Sequence, residues 1–226
     1  STVYTMIGHD LAWDTQITGW INRVREQTRS GIAAPDMLAD VRKILDEMRL
    51  FKDEYELTLM RHAAKIAADA HRRAMKHTQP HLFEYEIEAE LIHEFRRQGA
   101  MAPAYTSIVA GGRNACVLHY IENNTRLQAG DLLLIDAGCE YDGYASDITR
   151  TFPVNGRFTA VQRDLYQLVL SAQQAAIETV QPGRTWNDPH HAALVVLAQG
   201  FSDLGLCQGS VEAIIESEDY KRFYMH

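Results

Sequence analysis

The residues with most chemical content lie in the stretch Leu132-Leu-Leu-Ile-Asp136-Ala-Gly-Cys-Glu-Tyr-Asp-Gly-Tyr-Ala-Ser-Asp147-Ile-Thr-Arg-Thr-Phe152. Asp136 follows four apolar residues that read, by composition, as a buried strand. Between the two aspartates, Tyr141 to Tyr144 carries an Asp-Gly turn signal, so a hairpin is expected. If its centre falls between Tyr141 and Asp142, the two carboxylates are directly opposite on antiparallel strands, with Cβ atoms roughly 4.5–5.5 Å apart. If Asp142-Gly143 form a two-residue loop, the pair is diagonal, at about 7–8 Å. Either register leaves both side chains on one face. Two facing anions repel and are costly to desolvate, and a cation between them relieves both problems. Carboxylate oxygens suit hard divalent ions such as Mn²⁺ or Mg²⁺. Two ions about 3.5–4 Å apart, bridged by a carboxylate, fit the spacing. One aspartate alone would read as a turn cap or a solvated strand end, whereas two in register favour metal binding.

Histidine is the other abundant candidate type. His119 sits in Val117-Leu118-His119-Tyr120, just before the acidic hairpin, where Cys116 to Tyr120 reads as a short strand. That neighbourhood makes it a candidate catalytic group. His62, His71, His77 and His93 lie among charges on helical stretches, where a packed or solvated role is expected. His93-Glu94 could open an HExxH zinc motif, but position 97 is Arg, so the motif fails. Gly111-Gly112-Arg113 lacks GxGxxG spacing and reads as a turn. No GxSxG is present, so acyl transfer through serine has no candidate.

The elements that must position these groups follow from periodicity. The first 50 residues read as mostly helical: Ile17, Trp20, Ile21 and Val24 recur at helical spacing, as do Leu38, Val41, Leu45 and Met48. A long helix is expected over 54–77, with Leu57, Met60, Ala64, Ala67, Ala70 and Ala74 on its packed face. A second, over 83–98, stops at Gly99. Strand patterns follow at 105–109, 132–135 and 148–154. A helix is expected from 158 to about 180, with Val161, Leu165, Leu168, Val169 and Ala172 inward, and another over 186–201. Helices, then strands, then helices give an α+β class.

Composition bounds the function classes. Formal net charge is −8, with 46% hydrophobic and 23% charged residues. The acidic balance argues against a nucleic-acid partner. The longest apolar run, Ala192 to Ala198, is too short for a membrane span. The three cysteines, Cys116, Cys139 and Cys207, form no CxxC pair, which suits a reducing, cytoplasmic setting. The chain opens on Ser1 in an apolar stretch and closes on Phe223-Tyr-Met-His226. It is therefore expected to be an internal segment of something longer.

Three stretches carry a family resemblance. Ile135-Asp-Ala-Gly, then eight residues, then Asp147-Ile-Thr-Arg-Thr-Phe resembles the signature of the pita-bread metallopeptidases. So does Tyr105-Thr-Ser-Ile-Val-Ala-Gly-Gly-Arg-Asn-Ala, then two residues, then Leu118-His119-Tyr120. Lys52-Asp-Glu-Tyr-Glu-Leu, then two residues, then Met60-Arg-His-Ala-Ala resembles the start of that catalytic domain. Together they are similar to the bacterial aminopeptidase P, or Xaa-Pro aminopeptidase, family. The resemblance implies a pita-bread catalytic domain at 51–226, incomplete at its C-terminus, preceded at 1–50 by the end of an N-terminal domain and a linker. It implies two divalent metal ions, usually manganese, held by two Asp, one His and two Glu. Asp136 and Asp147 match the two Asp, while the His and both Glu would lie beyond residue 226. His119 matches a histidine near the scissile nitrogen, Tyr105 would lie beside the site, and His226 matches a histidine on the proline side of the pocket. His119 and His226 are thus the catalytic candidates, with Tyr105 a third substrate-binding residue. The implied reaction is metal-assisted removal of an N-terminal residue that precedes proline, by a homo-oligomer, dimeric or tetrameric. Prolidase, creatinase-type enzymes and a catalytically inactive peptidase-like binding module share the fold. The paired aspartates count against the last. Methionine aminopeptidase lacks the long lead-in.

Overall fold

The computed structural model describes residues 1–224; His226 lies outside them. Near the N-terminus, β1 (Thr2–Thr5) pairs in parallel with β2 (Met37–Asp40), and α1 (Leu11–Glu26) crosses between them. α2 (Arg42–Leu50) follows. This part is less helical than the spacing suggested. Leu38 lies in a strand and Val41 at the helix start, so the apparent i+3/i+4 pattern straddled a strand-to-helix junction.

α3 (Glu54–His77) begins at Asp53, whose carboxylate accepts from the Glu56 amide while Glu56 reaches back to the Asp53 amide. α4 (Glu84–Arg97) packs beside it and stops before Gly99, which takes φ 93°. The packed face of α3 is Leu59, Ala63, Ile66, Ala67, Ala70 and Ala74. Met60 and Ala64, expected inward, are exposed, because the helix turns its small-residue stripe about one position from the expected face.

Against this helix pair lies an antiparallel sheet of β4 (Ile108–Gly111), β5 (Leu132–Ala137) and β8 (Ile148–Pro153), with β5 central. A second small sheet joins β3 (Ala102–Pro103), β6 (Cys139–Tyr141) and β7 (Tyr144–Ala145). β5 is not buried on both faces. Leu133, Ile135 and Ala137 pack into the core with α3 and α4, whereas Leu132, Leu134 and Asp136 are only half-buried on the opposite face. The apolar composition hid this period-2 alternation.

Of the two registers the hairpin allowed, the structure takes the second. Tyr141 faces Tyr144, so Asp142 and Gly143 form the loop, at φ 50° and 84°. Two positive-φ positions are what a two-residue type I′ turn needs, and its twist matches the strands. Asp136 therefore faces Thr149, and Asp147 is diagonal to it.

The expected strand over Cys116 to Tyr120 is absent. After Gly112, at φ 55°, the chain makes a 3₁₀ turn (Gly112–Cys116) and a bend through His119, whose φ is 52°. Val117 and Leu118 are exposed; their apolar character signalled a strand that has no partner to pair with.

α5 (Ala160–Thr179), α6 (Asn187–Asp203) and α7 (Val211–Glu216) form a second core around Leu194, Leu197, Ala198, Phe201 and Ile214. On α5 only Ala172 is buried. Val161, Leu165 and Val169, expected inward, are exposed and line a groove of about 540 Å³ with Leu132 and Thr149. Periodicity identifies an amphipathic face, not what covers it. Among the described residues no helix is long and apolar enough to cross a membrane.

Gly138 links β5 to β6 at a crowded point, where a Cβ would lie 1.6 Å from the Ser146 carbonyl oxygen. Gly138→Ala is expected to destabilise the fold by about 3 kcal/mol, since the β5–β8 ladder must part to admit a methyl group. Urea unfolding of the two forms measures it.

Candidate metal centre

Two elements and one loop build the site. Near the end of β5, Asp136 lies on its open face, because Ile135 and Ala137 on either side are committed to the core. Asp147 lies immediately before β8, two residues from Thr149, the cross-strand partner of Asp136. Strand alternation thus puts it on the same face. Tyr105, between β3 and β4, joins the pair. Its hydroxyl lies 2.5 Å from Asp136 Oδ1 and 3.0 Å from Asp147 Oδ1. The two carboxylate oxygens can be no farther apart than the sum of those distances. They point to one face, well inside the roughly 8 Å reach of a diagonal pair.

One phenolic proton serves both acceptors. Burial raises the Tyr105 phenol far above its ordinary range, and hydrogen bonds to Asp136 and Asp147 raise it further. The tyrosine stays a neutral donor across any working pH.

Asp136 also lines a cavity of about 590 Å³ together with His119, Ile108, Leu134 and Thr149. His119 thus shares a cavity with one aspartate, while Tyr105 bonds both. Lys221 and Arg222, which also line it, were not singled out in the sequence. Each is paired locally, Lys221 with Glu218 and Arg222 with Asp219, and they reach the cavity only through the fold. His71 is packed beneath the sheet. Its Nε2 lies 3.3 Å from the Ala137 carbonyl, its Nδ1 has no partner, and burial lowers its pKa.

The donor set can be judged on its chemistry. Two converging carboxylates with one neutral hydroxyl donor are oxygen ligands suited to a hard divalent cation. They form part of a coordination shell: no group of three or more His, Cys, Asp or Glu able to hold a metal occurs among the described residues.

Residues 58–226 match the model of metallopeptidase family M24. The chain belongs to that family. Its sheet and helices are accordingly the α+β pita-bread fold. It is 51% identical to the Xaa-Pro aminopeptidase of Haemophilus influenzae over 84% of this chain and 44% of that protein. Among solved structures it is similar to the Pseudomonas aeruginosa aminopeptidase PepP, at 50% identity and a TM-score of 0.97, covering all of this chain and 51% of that one. It is also similar to zinc-substituted Escherichia coli aminopeptidase P in complex with product, at 41% identity and a TM-score of 0.94, covering all of this chain and 51% of that one. The chain spans about half the length of the curated relatives it matches.

The raised phenol has a pH consequence. A tyrosine whose proton is held more tightly in the folded state contributes stability that is intact below its unfolded pKa of about 10 and is lost as pH rises above it. Tyr105→Phe should flatten the fall in stability above about pH 10. Urea midpoints of both forms on either side of that pH test it, and identical slopes would contradict the buried donor.

Proposed function

We propose that the protein carrying this chain is a metal-dependent aminopeptidase that hydrolyses the bond between an N-terminal residue and a following proline. The observation that carries this reading is the convergence of Asp136 and Asp147 on a single tyrosine hydroxyl, in a family of metallopeptidases. Similarity to Xaa-Pro aminopeptidases supports the substrate class, peptides with proline second.

In this reading Asp136 and Asp147 would be among the residues that hold two divalent ions. Hard oxygen donors suit Mn²⁺ or Mg²⁺, and Mn²⁺ is the ion that the family resemblance implies. Such ions supply Lewis-acid polarisation of the scissile carbonyl and a water of lowered pKa. The residues of the chain do the rest. Tyr105 keeps the two carboxylates turned to one face and also borders the bound peptide. His119, in the cavity that Asp136 lines, stabilises or moves a proton at the scissile nitrogen. His226 is assigned to the proline side of the pocket.

The remaining assignments belong to the same reading. Residues 1–50 form the end of a preceding domain and its linker, and 51–226 the catalytic domain; the family match begins at 58. The protein is cytoplasmic, which its unpaired cysteines favour, and works as a homo-oligomer. It has no nucleic-acid partner, in keeping with its net charge of −8.

In the protein extended to the length of its relatives, Asp136→Asn or Asp147→Asn should lower metal affinity and turnover at least 10–100-fold, as removal of charge from a ligand does. Metal titration and turnover at saturating Mn²⁺ check this, and near-normal turnover in either variant refutes the ligand assignment. A peptide series checks the specificity. Tripeptides and longer substrates with proline second should be cleaved. Cleavage confined to Xaa-Pro dipeptides would instead identify a prolidase, and release of Met before alanine a methionine aminopeptidase.

A further inference from the structure

The segment carrying His119, residues 112–125, has no ladder partner along most of its length, yet His119 occupies the left-handed region at φ 52°. A non-glycine residue there is strained and persists only where its surroundings over-determine it. The constraint comes from beneath. Glu84, in the first turn of α4, has no solvent exposure. Its Oε1 accepts from the Gly111 amide at 2.8 Å and Asn114 Nδ2 at 2.9 Å. Its Oε2 accepts from the Tyr120 hydroxyl at 2.7 Å and the Thr125 amide at 2.8 Å. One carboxylate thus ties three points of the segment to the end of β4 at Gly111, and two of them, Asn114 and Tyr120, flank His119. Tyr120 is the next residue along, and its ring is packed with Ile108 and Ala110. The far end is held separately. Asn123, also buried, accepts from the Val109 amide at 2.9 Å and donates to the Ser107 carbonyl at 2.8 Å.

We propose that Glu84 is the positioning residue for His119: by gathering Gly111, Asn114, Tyr120 and Thr125 it fixes the backbone that aims the imidazole into the cavity beside Asp136. A neutral acceptor could not replace it. Glutamine offers one oxygen and one amide, so at least one donor would face another donor in a dry site, which is costly. The inference rests on the aminopeptidase reading for what His119 does, but not for the clamp itself.

Two measurements separate these. In this chain, Glu84→Gln should speed amide hydrogen exchange across residues 112–125 about tenfold or more, while amides of α3 and β5 stay protected. Unchanged exchange in the segment overturns the clamp. In the protein extended to the length of its relatives, Glu84→Gln should lower kcat for an Xaa-Pro peptide about 100-fold, with KM and metal content nearly unchanged, the size expected for a misaimed group. In a His119→Ala background the same change should cost less than about twofold, since it acts through a side chain already gone. A full 100-fold loss persisting without His119, or a kcat within about twofold of normal in the single variant, overturns the proposal. If Glu84→Gln does not fold, Tyr120→Phe removes one hydroxyl, which donates to Glu84 and accepts from Asn114, and should show the same non-additivity with a smaller loss, about tenfold; additivity there overturns the proposal equally. Absence of Xaa-Pro cleavage by the unsubstituted protein would overturn the functional reading instead, and the exchange measurement still decides the clamp.

Discussion

The site depends on the alternation of β5. Leu133, Ile135 and Ala137 are buried against α3 and α4, and burying side chains of the Leu or Ile kind is worth about 1.5–3 kcal/mol each. Because side chains alternate along a strand, this commits Asp136 to the open face. A slip of one residue would drive a carboxylate into the apolar core and bring Ile135 out, so the register is strongly defended. Everything else in the site is referred to that one fixed direction.

From there the hairpin does the alignment. The positive φ angles of Asp142 and Gly143 close the loop with two residues, which sets Thr149 opposite Asp136 and leaves Asp147 two residues before it. Gly138 allows the return strand to come close, since any larger residue would meet the Ser146 carbonyl. Two carboxylates on one face would repel if nothing lay between them. Here Tyr105 donates to both, which holds the pair without supplying charge and so leaves their anionic character available to a cation.

The second half of the cavity is built by a different physical device. Residues 112–125 have few strand or helix partners to satisfy their backbone groups, and buried polar groups must be paired. Glu84 and Asn123 supply the acceptors and donors instead. A segment organised by side-chain hydrogen bonds can hold a strained backbone angle at one residue, as it does at His119. The sheet gives the site its precision and the clamped segment gives it an imidazole in a defined place.

Much of this was legible in the residues. The ends of α3, the stop at Gly99 and the hairpin between Tyr141 and Tyr144 follow from local signals: a capping box, a glycine at positive φ, an Asp-Gly turn. The pairing of Asp136 with Asp147 followed from strand parity, which depends only on counting. What sequence could not decide is what each face meets. The parallel pairing of β1 and β2, the uncovered apolar face of α5 and the exposed Val117 and Leu118 all turn on partners distant in the chain. An apolar residue has the same signature whether a neighbour covers it or not. The four donors on Glu84 come from residues 27 to 41 positions away, so no local pattern marks that glutamate as buried. Local backbone chemistry determined most of the elements, the hairpin turn and the shared face of the two aspartates. Tertiary packing alone decided which faces closed and how His119 is held, because those outcomes depend on the energies of contacts that no stretch of sequence contains.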